Sequence, residues 1–218
     1  MKRAVICFTR VPKPGVAKTR LLPLLKPEQC AELQWAFLKD LAQIYQDLDA
    51  HLFIAHVPDP DWELLKSLFP SAGYLPQKGE DLGEKMYRAI RKVLSLGYES
   101  VVLTGSDLPR MGKDHIESGF AALEENDIAI GPTPDGGYYL IGMKQPRREV
   151  FRVENYGGAT VFESTVSAAR DAGLSVGLAL PCSDVDTPED LKDLASGVSA
   201  DSHTAIYLNR LRQEGIAL

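Results

Sequence analysis

Residues Ala4-Val5-Ile6-Cys7-Phe8 form an unbroken apolar run that ends in a basic loop rich in Pro and Gly. A run without polar alternation has no water-facing side, so it reads as a strand covered on both faces, and that requires helices on either side of a mostly parallel sheet. Pro27 to Leu48 supplies the first helix, with Leu33, Phe37, Leu41, Ile44 and Leu48 at helical spacing behind a proline suited to the first helical position. His51 to Val57 predicts a second strand, Trp62 to Phe69 a short helix, and Asp81 to Leu96 a helix with Leu82, Met86, Ile90 and Val93 on one side. Val101-Val102-Leu103 predicts a central strand, followed by a helix around His115 to Leu123. Strands at Ile128 to Ile130 and Tyr138 to Ile141, joined through Pro134-Asp135-Gly136-Gly137, form either a hairpin or a bent meander. A helix near Ala159 to Ala172, a strand at Val176 to Leu180, a helix from Thr187 and a further C-terminal helix complete the pattern. Strands alternating with helices give the α/β class, a three-layer αβα sandwich with a mostly parallel central sheet. No repeat, low-complexity tract or linker divides the chain, so residues 1–218 read as a single domain.

Charge and cysteine usage narrow the partners. The 24 Lys+Arg against 30 Asp+Glu give a net charge of −6, which disfavours a nucleic-acid partner. Met1-Lys2-Arg3 leads into an apolar stretch of about six residues, too short for a signal-peptide core or a spanning helix, so no membrane partner and a cytoplasmic location are expected. Cys7, Cys30 and Cys182 are widely spaced and read as free thiols, and the four histidines show no metal-ligand spacing.

In open sheets of this kind ligands bind beyond the carboxyl ends of the strands, and four segments stand out there. Thr9 to Leu21 follows the first strand and carries Arg10, Lys13, Lys18 and Arg20 around Gly15. It is either a solvated basic loop or a polyphosphate cradle, and its position after the first strand favours the cradle. It is neither a Walker loop nor a dinucleotide fingerprint. Leu103-Thr104-Gly105-Ser106-Asp107 ends an apolar strand in a carboxylate, suited either to Mg²⁺ or Mn²⁺ or to capping the next turn. Ser183-Asp184-Val185-Asp186-Thr187-Pro188-Glu189-Asp190 opens a helix with Thr187 or Asp186 as N-cap. Capping accounts for one aspartate and leaves another for a metal facing Asp107. Gln77 to Met86 opens another helix, either with Asp81 as an ordinary cap or with its first amides on a base or phosphate. Gly83 in its first turn costs about 1 kcal/mol relative to Ala, which signals close approach by another group.

Five ordered motifs carry a resemblance that covers nearly the whole chain: Lys-Pro-Gly-Val-Ala-Lys-Thr-Arg-Leu at 13–21, Gly-Glu-Asp-Leu-Gly-Glu-Lys-Met at 79–86, Gly-Ser-Asp-Leu-Pro at 105–109, Gly-Pro-Thr-Pro-Asp-Gly-Gly-Tyr-Tyr-Leu-Ile-Gly at 131–142 and Asp-Val-Asp-Thr-Pro-Glu-Asp-Leu at 184–191. Together they resemble the glycosyltransferase-like DUF2064 group of bacteria, within the nucleotide-diphospho-sugar transferase superfamily. The group is similar to 2-phospho-lactate guanylyltransferase and the molybdenum-cofactor nucleotidyltransferases. The resemblance implies a GT-A-like, Rossmann-like fold, a nucleoside triphosphate or nucleotide sugar as substrate, and a small-molecule acceptor. It implies phosphate binding by Lys13, Gly15, Lys18 and Arg20, Mg²⁺ or Mn²⁺ on Asp107 with Asp186 (Asp184 competing for that second place), and an acceptor side at Asp135-Gly136-Gly137. Arg10, Gln77, Asp81, Gly83 and Gly105 complete the expected contacts, with Lys18, Arg20 and Asp107 as the catalytic set. The chain departs from the group's pattern at Tyr156-Gly157-Gly158-Ala159-Thr160, where Trp-Ser/Gly-Thr is expected, and at Lys85, where Arg is usual. Three readings follow: nucleotidyl transfer to a small phosphorylated acceptor, glycosyl transfer from a nucleotide sugar, or nucleotide binding without turnover. The basic loop favours the first, since a triphosphate brings more charge to neutralise. Sequence does not fix the oligomeric state; a homodimer is a common default.

Overall fold

The structure is a computed structural model that describes residues 2–153, 156–195 and 197–218. Among these residues seven strands form one sheet: β1 (Arg3–Thr9), β2 (His51–His56), β3 (Gly73–Pro76), β4 (Ser100–Thr104), β5 (Ile128–Pro132), β6 (Tyr138–Met143) and β7 (Val176–Leu178). Their order is β3-β2-β1-β4-β6-β5-β7, and only β6 runs antiparallel to its neighbours. Among the described residues six α-helices accompany them: α1 (Pro27–Gln46), α2 (Leu82–Leu94), α3 (Lys113–Glu125), α4 (Val161–Asp171), α5 (Pro188–Leu194) and α6 (His203–Gln213).

Alternate residues of each strand feed opposite cores, as the two-residue period of a strand dictates. Val5, Cys7, Ile54 and Val102 pack with Leu38, Leu41 and Tyr45 of α1 and Ile116, Phe120 and Leu123 of α3. Ala4, Ile6, Val101 and Leu103 pack on the other face with Met86, Ile90 and Val93 of α2 and Ala169 of α4. This is the expected three-layer arrangement. A third cluster lies behind α1, where Cys30, Leu33 and Phe37 meet Leu191 and Leu194 of α5 and Leu208 and Leu211 of α6. Helix α1 is therefore covered on two sides, so an apolar stripe alone understates how buried it is.

The chain order reverses at the junction of β1 and β4, since β1 pairs with β2 on one side and β4 on the other. A crevice opens at the carboxyl ends of strands at such a reversal. The β5–β6 pair is a hairpin, with a register shift at Gly131/Pro132, which resolves the hairpin-or-meander alternative.

Two local expectations change. Strand β3 falls where the sequence pattern predicts none: it is a four-residue edge strand ending in proline, and proline and shortness are what an edge strand tolerates and a sequence pattern does not register. Residues Trp62–Ser67 form 3₁₀ turns in place of a short α-helix. Helix boundaries move by a few residues: Asp81 and Thr187 are N-caps whose side chains accept from Glu84 N and Asp190 N. Among the described residues no helix is long and apolar enough to cross a membrane.

Helix α6 docks through one buried carboxylate. Asp40 on α1 accepts from His203 N at 2.7 Å, from Thr204 N at 2.9 Å and from the Thr204 hydroxyl. Asp40→Ala strands these donors in a buried site, so a loss of about 3 kcal/mol in unfolding free energy is expected from urea titration. A change within about 0.5 kcal/mol, on the scale of an ordinary surface substitution, would show that α6 is held by its apolar face alone.

Candidate active site

The crevice at the β1/β4 junction is a cleft of about 520 Å³. The loop after β1 contributes Arg10, Lys18 and Arg20; the loop after β4 contributes Gly105, Ser106 and Asp107; the hairpin contributes Thr133, Asp135 and Gly137; and the segment before α5 contributes Asp184 and Asp186. Gln77, beyond β3, and Gln34, on α1, also line it.

Lys18 stands at the centre of this arrangement. Its side chain is 2% exposed, and its Nζ lies 3.1 Å from Asp107 Oδ2 and 3.4 Å from Asp186 Oδ1 while donating to the Val185 carbonyl at 2.7 Å. It is the one non-glycine residue with positive φ among the described residues, at φ 51° and ψ 42°. A left-handed backbone costs a side-chain-bearing residue roughly 1–2 kcal/mol, and strain of that kind is kept where it aims a functional group. Phe37 lies under the ammonium, with its ring centroid at 5.6 Å. Arg20 reaches Asp186 Oδ2 at 3.0 Å from a largely exposed position.

The aspartates are free for this site because the α5 cap does not use them. Thr187 Oγ1 accepts from Asp190 N, and the Asp190 carboxylate accepts from the amides of Asp186 and Thr187. The backbone of Val185 donates to Asp107 O at 3.1 Å, which lays the segment carrying Asp184 and Asp186 across the end of β4. Asp184 has its pKa raised to about 6, first by burial, then by the negative charges of Asp186 and Asp135, against a smaller opposing effect of Lys18. The pocket thus gathers three cations, all from the first loop, and four carboxylates.

Several expected contacts do not line the cleft. The Lys13 ammonium is held 2.7 Å from both Asp59 and Asp61, which keeps its pKa above the ordinary lysine value and ties the loop to the segment after β2. Gly15 has φ +74°, and a side chain there would meet only open space, so it serves the turn. Asp81 caps α2. At Gly83 a Cβ would lie 2.5 Å from the Phe151 carbonyl and 2.6 Å from the Tyr156 hydroxyl, so the close approach signalled by that glycine is by the protein's own chain. Gly136 has φ +87°, and a Cβ there would collide with the Ala159 carbonyl, so it seats the hairpin against the 156–160 segment. Gln77 does line the cleft, with its Nε2 donating to Ala55 O at 2.9 Å and Thr9 O at 3.2 Å.

Gln34, Ser106, Thr133, Tyr138, Tyr139 and Tyr156 also line the cleft; all but Gln34 fall inside segments that the sequence singles out, though none of them is an expected contact. For Gln34 a signal existed: an uncharged polar residue four positions after Cys30 and four before Leu38, both on buried faces of α1. Tyr138 and Tyr139 are hidden because they open an unbroken apolar strand run.

Comparison with known proteins bears on this site. Residues 40–158 match the family described as an uncharacterized protein conserved in bacteria (DUF2064). A crystal structure from Desulfovibrio desulfuricans G20, provisionally assigned as a nucleotide-diphospho-sugar transferase, superposes with a TM-score of 0.91 at 35% identity, over 98% of this chain and 96% of that one. Phosphoenolpyruvate guanylyltransferase of Sphaerobacter thermophilus is 29% identical over 90% of this chain and 97% of its own length. 2-Phospho-L-lactate guanylyltransferase of Methanothermobacter thermautotrophicus is 29% identical over 90% of this chain and 86% of its own.

The raised pKa of Asp184 fixes a sign. A carboxyl held at about 6 when folded and near 3.8 when unfolded favours the folded state fully below pH 3.8, and that benefit is lost as pH rises through 6. Asp184→Asn cannot ionise, so its Tm should exceed that of the parent at about pH 8 and the difference should shrink towards about pH 4. A Tm gain that is the same at both pH values would mean that the charge of Asp184 is not what strains the cluster.

Proposed function

The chain belongs to the DUF2064 family and has the nucleotide-diphospho-sugar transferase fold, and from that premise we propose that it is a nucleotidyltransferase, dependent on Mg²⁺ or Mn²⁺, that joins a nucleoside monophosphate from a triphosphate to a small phosphorylated acceptor. The observation that carries this reading is the buried Lys18 ammonium between Asp107 and Asp186 at the chain reversal, with Arg10 and Arg20 of the same loop also lining the cleft. The relatives named for guanylyl transfer support guanine as the base.

The residues present fit a hard divalent ion. Asp107 and Asp186 offer hard carboxylate oxygens, and added positive charge would relieve the repulsion that, after burial, raises Asp184. Among the described residues no cluster of three His, Cys, Asp or Glu forms a complete cage, so the protein would supply one or two carboxylates, as Mg²⁺ commonly requires. When bound there, the ion would neutralise charge on the phosphates.

In the reaction, an acceptor phosphate oxygen attacks the α-phosphorus in line; the new P–O bond forms as the bond to the bridging α–β oxygen breaks, and pyrophosphate leaves with that electron pair. No proton need move at the reacting atoms. Arg20, largely exposed, donates to the phosphate oxygens, and the buried Lys18 charge beside it offsets negative charge as the pyrophosphate departs. The loops of Gly105–Asp107 and Asp184–Asp186, tied by the Val185–Asp107 backbone hydrogen bond, hold the carboxylates in fixed relation. The hairpin with Thr133 and Asp135, and the segment of Tyr156, form the acceptor side.

Glycosyl transfer from a nucleotide sugar is the second reading, favoured by the assignment of the Desulfovibrio relative and by Asp184. A carboxyl at about 6 is suited to take a proton from an acceptor hydroxyl.

Incubation with GTP, Mg²⁺ and a panel of phosphorylated acceptors should release one pyrophosphate per nucleotide consumed. Release of nucleoside diphosphate from nucleotide sugars alone would move the assignment to glycosyl transfer. Lys18→Ala removes a fixed positive charge from the site and should lower kcat/KM by roughly 10²–10³-fold, on the scale of losing one electrostatic stabiliser of the transition state. Asp107→Ala should lose the metal-dependent part of nucleotide stabilisation in a thermal-shift titration, and an unchanged metal response would refute the ligand role of Asp107.

A further inference from the structure

The charges of the cleft are sorted along the sheet. Strands β1, β4, β6 and β5 lie side by side in that order, so the loop after β1, the loop after β4 and the β5–β6 hairpin follow one another as sections of its wall. Among the described residues the basic side chains that line it, Arg10, Lys18 and Arg20, all come from the loop after β1. Arg148 and Arg152 line a separate hollow beside Glu84, and the residues outside the described set, Met1, Glu154, Asn155 and Ser196, have no basic side chain. The hairpin section carries Asp135 instead, and the negative charge of Asp135 is felt at Asp184 in the same cleft.

Asp135 is exposed and its direction is set. Its Oδ1 accepts from the Thr133 hydroxyl and from Gly137 N at 3.2 Å, which leaves Oδ2 out of both bonds. Neither donor is charged, and among the described residues no basic side chain pairs with Asp135. Lys18 is engaged by Asp107, Asp186 and the Val185 carbonyl, and Arg20 by Asp186. A ligand seated in the cleft displaces water from Asp135 and must replace it. In the reaction above the acceptor phosphate meets the α-phosphorus near the cations, and the rest of the acceptor extends towards the hairpin. A second anionic group there would meet Asp135 and Asp184 with no cation to receive it. A hydroxyl would donate a hydrogen bond and leave the charge uncompensated, whereas an ammonium supplies both. We infer that the acceptor is the phosphate ester of an amino alcohol, with its primary ammonium received by Asp135. This rests on the nucleotidyl-transfer reading above. An oxygen of the ester phosphate bonds to the α-phosphorus as pyrophosphate leaves; the ammonium keeps its protons, and the product is a nucleoside diphosphate esterified to the amino alcohol.

Phosphoethanolamine, 2-hydroxyethyl phosphate and 2-phospho-L-lactate bring an ammonium, a hydroxyl and a carboxylate to the same neighbourhood. With GTP and Mg²⁺, kcat/KM from pyrophosphate release should be at least about tenfold higher for phosphoethanolamine than for 2-hydroxyethyl phosphate, the effect of one hydrogen bond between charged groups, with 2-phospho-L-lactate the poorest. Asp135→Asn keeps an oxygen for Thr133 and Gly137 but removes the charge, so the ratio between the first two acceptors should shrink about tenfold. Equal use of those two, a preference for 2-phospho-L-lactate, or an unchanged ratio in Asp135→Asn overturns the inference. Should Asp135→Asn fail to fold, the parent chain still decides: a preference that rests on an exposed charge must fall as NaCl is raised from about 0.05 M to about 0.5 M, and a ratio that salt does not move overturns it. Pyrophosphate release with other phosphorylated acceptors but with none of these three overturns this inference and leaves nucleotidyl transfer standing, whereas release with no acceptor at all overturns both.

Discussion

A lysine ammonium withdrawn from water is costly unless charge and hydrogen bonds replace the water it gives up. Lys18 meets that demand with two carboxylates and a carbonyl drawn from segments far along the chain, Asp107 and the Val185–Asp186 pair. The first loop is thereby fastened to the end of β4 and to the strip before α5. Each of these three pieces bears residues of the cleft, so one ionic knot decides how they face one another. It also decides how much negative charge the site can hold. Asp107 and Asp186 share the ammonium directly, whereas at Asp184 burial and the charges of Asp186, Asp135 and Asp107 outweigh the pull of Lys18, and its proton is correspondingly hard to remove.

Around that knot the supporting parts are ordinary backbone chemistry. Thr187 and Asp190 satisfy the first amides of α5 without drawing on Asp184 or Asp186. Asp81 does the same for α2, and Gly83 and Gly136 let the hairpin and the 156–160 segment come close to their neighbours. Lys13 anchors its loop from outside through Asp59 and Asp61. The motifs therefore mix two kinds of residue: those whose polar groups turn into the cleft, and those that fix the walls so that the first kind can do so.

Much of this was legible from residue order. The apolar run at 4–8 and its successors gave away a sheet covered on both sides, because a doubly buried strand has no polar alternation to offer. Asp107 and the 184–186 pair stood out because they lie directly beyond apolar strands, where ligands bind in open sheets, although turn and helix capping were equally open readings for them. Gly83 signals close approach, and close approach is found, but the approaching groups are Phe151 and Tyr156, and nothing in a local sequence distinguishes a ligand from a distant piece of the same chain. Strand β3 escapes notice because its four residues gain their place by pairing with β2 at the sheet edge and carry little pattern of their own.

The chain's own order of residues determined the layers, the direction of most strands and the end of the sheet at which polar chemistry would gather, since periodicity, caps and turns act over a few residues and can be read there. Only the tertiary structure decided that Lys18 lies between Asp107 and Asp186 while Lys13 turns away, and that Gln34 belongs to the cleft wall. Those outcomes depend on which buried charges and dipoles meet across long stretches of sequence, and electrostatic pairing in a low-dielectric interior is set by distance in space, a quantity that spacing along the chain does not encode.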